Sequence, residues 1–241
     1  MNLFLKMTLF GKRILAVVPA RGGSKSIPRK NLKKICGKSL IHHAADICKS
    51  LPWIDMAILS TDDEEMAAEG KRTGLSVPFL RPSNLGTDNA SSIDMWKHAW
   101  LCSEKEAGEV FDISILLEPT SPLRTSNDIE ICLSTLIQDN HNSVATVSVI
   151  PAHFRPQKTL TIDESGKIGF YLPPKEKYSR RQNIPSYYFR NGICYAITRE
   201  KLIEENKILD ETTFAILIDR EIVNIDEPFD LEIAEYIYKK L

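Results

Sequence analysis

Residues 14–31 read ILAVVPARGGSKSIPRKN. The opening ILAVV is a continuous apolar run with β-branched residues, the mark of a strand buried on both faces of a sheet. From Pro19 to Asn31 the chain then carries Arg21, Lys25, Arg29 and Lys30, with two glycines and no carboxylate. In a parallel α/β sheet, ligands sit where loops leave the carboxyl ends of the strands. A buried first strand that runs into unbalanced positive charge therefore points to such a sheet with an anion at that place. Gly22 and Gly23 let backbone N–H groups come close to an anion. Arg21, Lys25 and Lys30 supply charge for phosphate oxygens. The bland alternative is a solvated basic turn; its position behind a buried strand and the paired glycines weigh against it. Two familiar phosphate loops are excluded. Lys25 follows Ser24 rather than Gly, so G-x-x-x-x-G-K-[ST] is absent, and two adjacent glycines do not make G-x-G-x-x-G.

Outward from this stretch the chain alternates strands and helices. Helical spacing covers 39–50, with Leu40, Ile41, Ala44, Ala45, Ile47 and Cys48 on one side. MAILST (56–61) reads as a strand. DDEEMAAEGKRTG (62–74) starts in carboxylates and ends in Lys, Arg and Gly, as a helix dipole and C-cap favour. A short strand is expected at 76–80, a turn-rich loop at 81–90 and a helix over 91–107. A buried strand follows at 112–118, a helix at 126–140 and a strand at 143–150. Regularity breaks at 151–190, which reads as an insertion with a short strand over 167–172. Strands return at 191–198, 214–219 and 221–225, and a last helix covers 229–241. This alternation means a mostly parallel sheet with helices on both faces. The expected organisation is an N-terminal extension, 1–13, and one domain, 14–241, carrying the 151–190 insertion.

Composition bounds the function. The 31 basic and 32 acidic residues of this 241-residue chain nearly balance, which argues against a nucleic-acid or anionic-membrane surface and makes the charge at 21–30 local. The five cysteines, Cys36, Cys48, Cys102, Cys132 and Cys194, form no C-x-x-C pair. Neither a disulfide framework nor a zinc cluster is indicated, and a reducing cytoplasm fits. His42 and His43 are adjacent, so on a helix they diverge and cannot share a metal. The N-terminal MNLFLKMTLFGKR is interrupted by Lys6, is too short to span a bilayer and lacks a cleavage-like site; Met7 is an alternative start.

Five ordered stretches resemble one family. PARGGSKSIPRKN (19–31), RPSNLGTDNASS (81–92), LEPTSPLR (117–124), RRQNIP (180–185) with NG (191–192), and NIDEPFDLEIAE (224–235) resemble the motifs of the N-acylneuraminate cytidylyltransferases, the CMP-sialic acid synthetases. The resemblance runs from Ile14 to the C-terminus. It implies a three-layer α/β/α Rossmann-like nucleotidyltransferase fold with a mixed, mostly parallel sheet. It implies a Mg²⁺-dependent reaction of CTP with a nonulosonic acid to give CMP-sugar and pyrophosphate. It also implies a homodimer, with 151–190 as its contact and Arg181 reaching the neighbouring sugar site.

Carried over by motif position, Arg21, Ser24, Lys25 and Lys30 would hold the triphosphate, beside the Gly22–Gly23 backbone. Asn31 and Arg81 would read the cytosine edge, with Ala90 and Ser92 along base and ribose. Asn31 as a cap of the following turn, Arg81 as a surface residue and Ser91 or Ser92 as a helix N-cap are the bland readings. Glu118, Arg181 and Asn191 match sugar-site positions. The family typically has Gln where Glu118 stands, and a carboxylate cannot donate as an amide does. Phe189 stands where the family often has Arg, and Arg190 follows it. The family places two Asp one residue apart as metal ligands. Here the pair is Asn224 and Asp226, which strand alternation would put on one face. Arg21, Lys30 and Asp226 are thus the candidate catalytic residues. Other acidic sugars, legionaminic acid or the eight-carbon KDO, stay open, as does a nucleotide-binding homologue without turnover.

Overall fold

The structure is a computed structural model that describes residues 9–173 and 184–240. Its strands are β1 Ile14–Pro19, β2 Lys34–Ile35, β3 Lys38–Ser39, β4 Met56–Ser60, β5 Ile113–Leu116, β6 Ser143–Val149, β7 Leu160–Ile162, β8 Ile168–Phe170, β9 Tyr188–Thr198 and β10 Phe214–Leu217. Its α-helices are α1 Leu40–Ser50, α2 Glu64–Arg72, α3 Ser92–Ala107, α4 Ser126–Gln138 and α5 Pro228–Tyr238.

Six strands form the main sheet in the order β10-β6-β9-β5-β1-β4. β1 runs parallel to β4 and β5, and β10 parallel to β6. β9 is antiparallel to both β5 and β6, which makes the sheet mixed. β1 lies between β5 and β4 and is buried on both faces, as its unbroken apolar run requires. Ile14, Ala16 and Val18 pack into the layer of α1, α2 and α4, while Leu15 and Val17 pack under α3 with Met95, Trp96 and Trp100. Three layers, α/β/α, result.

Local chemistry sets the helix starts. Ser39 caps α1 by accepting from His42 N, and Asp63 caps α2 by accepting from Met66 N. Ser91 accepts from the Ile93 and Asp94 amides at the head of α3. Thr125 and Asp128 form a reciprocal capping box on α4. Asp230 accepts from the Asp226 and Glu227 amides at the head of α5, as expected of an acidic residue at a helix N-terminus.

Three expected strands differ. The 76–80 stretch makes a single parallel bridge, Ile58 to Ser76, and then leaves the sheet. Pro78, with no amide hydrogen, cannot extend that ladder. Residues 221–225 form no strand; Ile225 N donates once, to Thr120 O at 2.8 Å. In the insertion, β8 is shorter than 167–172 and pairs with β7 as a small antiparallel hairpin. The β2–β3 hairpin was not expected; its turn, Cys36–Gly37, has φ of 48° and 80°, the left-handed pair of a two-residue hairpin. A π-helical turn, Glu200–Glu204, also lies outside the sequence reading. Among the described residues no helix is long and apolar enough to cross a membrane.

Candidate active site

A cleft of about 590 Å³ opens at the carboxyl ends of β1 and β5. Its lining includes Arg21, Ser24, Lys25 and Lys30 from the loop after β1, with Asn31 at its end. Arg81, Asp88 and Ser92 come from the next loop and the head of α3, and Glu118, Thr120 and Asp226 close the far side.

The basic loop is held open by contacts on its own flanks. Lys30 Nζ donates to Ile225 O at 2.8 Å and to Asp226 Oδ1 at 3.1 Å, and Ser26 Oγ donates to Asp226 O at 2.6 Å. These bonds join the loop after β1 to the loop before α5, nearly 200 residues later. Arg21 Nη1 and Lys25 Nζ each lie 2.6 Å from an oxygen of Asp88. The Gly22 amide donates to Asp62 Oδ1 at 3.0 Å. That bond occupies one of the two glycine amides expected to approach an anion. A Cβ on Gly22 would come to 3.0 Å from Asp63 Oδ2, whereas one on Gly23 would meet open space.

Asn31 and Arg81 are both buried, at 6% exposure each, although both line the cleft. Asn31 lies inside the one-turn helix Lys30–Leu32, so it does not cap it, and its Nδ2 donates to Arg21 O at 3.4 Å. Arg81 is no surface residue. Its guanidinium donates to Ser60 Oγ at 3.2 Å, to Leu85 O at 3.4 Å and to Ser60 O. Burial pulls its pKa below the usual arginine value, against the pull of nearby Asp62. Of the serines, Ser91 is the cap and Ser92 lines the cleft. Ala90 lies in the preceding turn, its amide donating to Thr87 O, outside the lining.

On the far side, Glu118 sits at the end of β5. Burial raises its carboxyl above the ordinary range, and Arg124, Arg190, and Lys30 offset this only in part, while Asp226 adds to it. Asn191 is not brought to the cleft. It is 1% exposed, its Oδ1 accepts from Thr146 Oγ1 at 2.6 Å, and its Nδ2 donates to Ser148 Oγ at 3.1 Å. It fixes β9 against β6 where their register shifts. Next to it Gly192 has φ 70°, and a Cβ there would lie 2.7 Å from Ser121 Oγ, so only glycine fits. Arg181 lies outside the described residues, as does Tyr178.

Asp226 and Asn224 part company as well. Asp226 lines the cleft with its side chain largely exposed. Asn224 is absent from the lining, and its Oδ1 is buried without a hydrogen-bond partner. The strand alternation expected to align the two does not form. Among the described residues no group of three or more His, Cys, Asp or Glu side chains could hold a metal ion.

Sequence reading missed two residues here. Asp88 lies in the quoted 81–92 motif, and its signal was a lone carboxylate facing a loop that has none. Arg124, in the 117–124 motif, is buried. It donates from Nε to Ile193 O at 2.9 Å, and from Nη2 to Gly192 O at 3.0 Å and to Glu118 O. It thereby ties the loop after β5 to the Gly192 turn. Burial lowers its pKa to about 10.

The model of a family described as cytidylyltransferase matches residues 15–235. The chain is 31% identical to a CMP-N,N'-diacetyllegionaminic acid synthase from Legionella pneumophila, over 92% of this chain and 95% of the relative. It is 29% identical to a pseudaminic acid cytidylyltransferase from Campylobacter jejuni, over 93% and 96% of the two chains. Identity to an N-acylneuraminate cytidylyltransferase from Escherichia coli is 28%, over 95% of this chain and 52% of the relative. In fold it is similar to a solved CMP:2-keto-3-deoxy-manno-octonic acid synthetase complexed with CTP. The TM-score is 0.68 at 19% identity, over 95% and 99% of the chains.

Proposed function

Because the chain belongs to the cytidylyltransferase family and is an enzyme of the nucleotidyltransferase class, we propose that it joins CMP from CTP to a nonulosonic acid, releasing pyrophosphate. The observation that carries the reading is the cleft that gathers Arg21, Lys25, Lys30 and Asn31 from the loop after β1 with Arg81, Glu118 and Asp226. The three cations suit a triphosphate. Asn31 and Arg81, with little freedom to move, suit a base edge read by hydrogen bonds. The space beside Glu118 takes the sugar.

In the reaction, an acceptor hydroxyl oxygen bonds to the α-phosphorus and loses its proton. The bond to the departing pyrophosphate breaks on the opposite side. Such transfer depends on alignment and charge neutralisation rather than on a covalent nucleophile. Lys30, anchored by Ile225 O and Asp226, is the cation with the least freedom to move and suits the leaving phosphates. Ser26 and Lys30 together fix the Asp226 segment against the basic loop.

A Mg²⁺ ion brought with the nucleotide would be held by Asp226, which lines the cleft with a largely exposed side chain and one carboxylate oxygen on Lys30, whereas Asn224, buried outside the lining, would not share it. Bound there with the nucleotide, it would supply charge neutralisation to the phosphates. Asp226→Ala should reduce turnover at least 100-fold without recovery at high Mg²⁺; an active variant would mean that the metal is held elsewhere. The pairing of two chains through the insertion and a cytoplasmic site of action complete the proposal.

Pyrophosphate release with CTP, Mg²⁺ and a panel of pseudaminic, legionaminic, N-acetylneuraminic acids and KDO tests it. Release with at least one nine-carbon acid is expected. CTP binding without release for any acid would favour a homologue that has lost turnover.

A further inference from the structure

Asp88 is the charged residue of the cleft that the proposed reaction does not use. It stands in the turn between Arg81 and α3 and faces the basic loop. One of its oxygens lies 2.6 Å from Arg21 Nη1 and the other 2.6 Å from Lys25 Nζ. All three residues line the same cleft. A carboxylate that spreads two oxygens over two cations offers what two non-bridging phosphate oxygens would offer. Lys30 is arranged differently, on a backbone carbonyl and on Asp226.

We propose that Asp88 is an internal counter-anion, which holds Arg21 and Lys25 where nucleotide phosphates would hold them and is displaced when those phosphates bind. The inference rests on the triphosphate reading above. It makes phosphate binding an exchange of one anion for another, so the affinity for CTP is lower than it would be with Arg21 and Lys25 unpaired. The same exchange applies in reverse to pyrophosphate, whose departure Asp88 assists by retaking the two cations. The Lys25 ammonium and Arg21 hold the Asp88 carboxyl below the usual range, which keeps it ionised and competitive at neutral pH.

Calorimetric titration of CTP and of inorganic pyrophosphate into the wild type, Asp88→Asn, Asp94→Asn and Arg21→Ala tests this. Asp88→Asn should bind both anions roughly 3- to 10-fold more tightly, the scale of two exposed ion pairs, with the gain shrinking as salt is raised. Asp94, exposed in the first turn of α3, makes the same charge change without touching Arg21 or Lys25 and should alter binding less than about twofold, since an isolated exposed charge is worth little. Asp88→Ser gives the same expectation should the Asn variant fold poorly. Unchanged or weaker binding in folded Asp88 variants, or equal tightening by Asp94→Asn, would overturn the proposal. Arg21→Ala separates it from the reading beneath it. If Arg21→Ala weakens both anions and the Asp88 variants do not tighten them, the counter-anion role alone fails. If Arg21→Ala leaves both unchanged, or the wild type binds neither, the triphosphate reading fails and takes this role with it.

Discussion

Arg81 is seated by Ser60 and Leu85 before any ligand arrives. A guanidinium held in this way can select a base because it cannot swing to suit another. Arg81→Ala should raise the KM for CTP roughly 10- to 100-fold, as loss of a charged hydrogen bond implies. It should also erase the preference for CTP over UTP. An Ala variant that keeps the preference would assign base reading elsewhere. Glu118 makes a second residue-scale prediction. Its carboxyl titrates above the ordinary range because it is buried, so the folded chain keeps this proton where the unfolded chain has lost it. Its contribution to stability is therefore greatest at low pH. It is lost as pH rises from the usual glutamate range through the raised folded value. Glu118→Gln should match the wild-type Tm at low pH and exceed it at neutral pH, in metal-free buffer. A gap that shrinks as pH rises would contradict the burial argument. Sequence motifs brought Arg81 and Glu118 to attention but said nothing of their burial, which depends on loops far apart in the chain. Asn191 shows the limit of motif position. Its neighbours Thr146 and Ser148 come from β6, and no local pattern reveals that partnership.

At the scale of elements, caps and sheet edges decide how much the sequence discloses. α1 was legible from its apolar spacing, α2 from carboxylates at its head and Lys, Arg and Gly at its end, and α3 from the serines at its start, of which Ser91 is the cap; the caps Ser39 and Thr125 came from the structure. β1, β4 and β5 were legible because strands buried on both faces show as unbroken apolar runs. The 221–225 stretch is rich in β-branched residues like a strand, yet it crosses the loop after β5, where Ile225 N donates to Thr120 O and Ile225 O accepts from Lys30 Nζ, and no ladder forms. The reading of Asn224 with Asp226 depended on that strand. α4 offers a graded test. Thr125→Ala removes one cap bond and should cost about 1 kcal/mol. Asp128 also receives Arg220 Nη2 at 2.6 Å and the Thr125 amide at 2.7 Å. Its removal strands a half-buried cation, and Asp128→Ala should cost about 3 kcal/mol or more. Urea denaturation measures both, and a smaller loss at Asp128 than at Thr125 would refute the network.

For the whole molecule, the β7–β8 hairpin is the exposed anomaly. Leu160 pairs with Phe170 and Ile162 with Ile168, so all four share one face. They are exposed, Ile162 at 75%. Such an apolar face on a hairpin needs a partner. A second copy of this chain, meeting through the insertion, is the proposed one. Ile162→Lys with Ile168→Lys should convert a dimer to a monomer in sedimentation velocity at micromolar concentration, while the hairpin turn is kept. A wild-type chain that sediments as a monomer with full activity would remove the dimer from the account. The insertion was legible only as a break in regularity, since β7 and β8 hold three residues each, too few to show a period.

The proposed CTP site is one cleft at the carboxyl ends of β1 and β5, with the phosphates on the loop after β1 and the base between Asn31, at the end of that loop, and Arg81. A crystal structure of the protein with CTP tests it most directly. The account predicts the triphosphate on Arg21, Lys25 and Lys30, cytosine against Asn31 and Arg81, and Asp88 turned away from both cations. CTP bound outside this cleft, or bound within it with Asp88 still bridging Arg21 and Lys25, would contradict it.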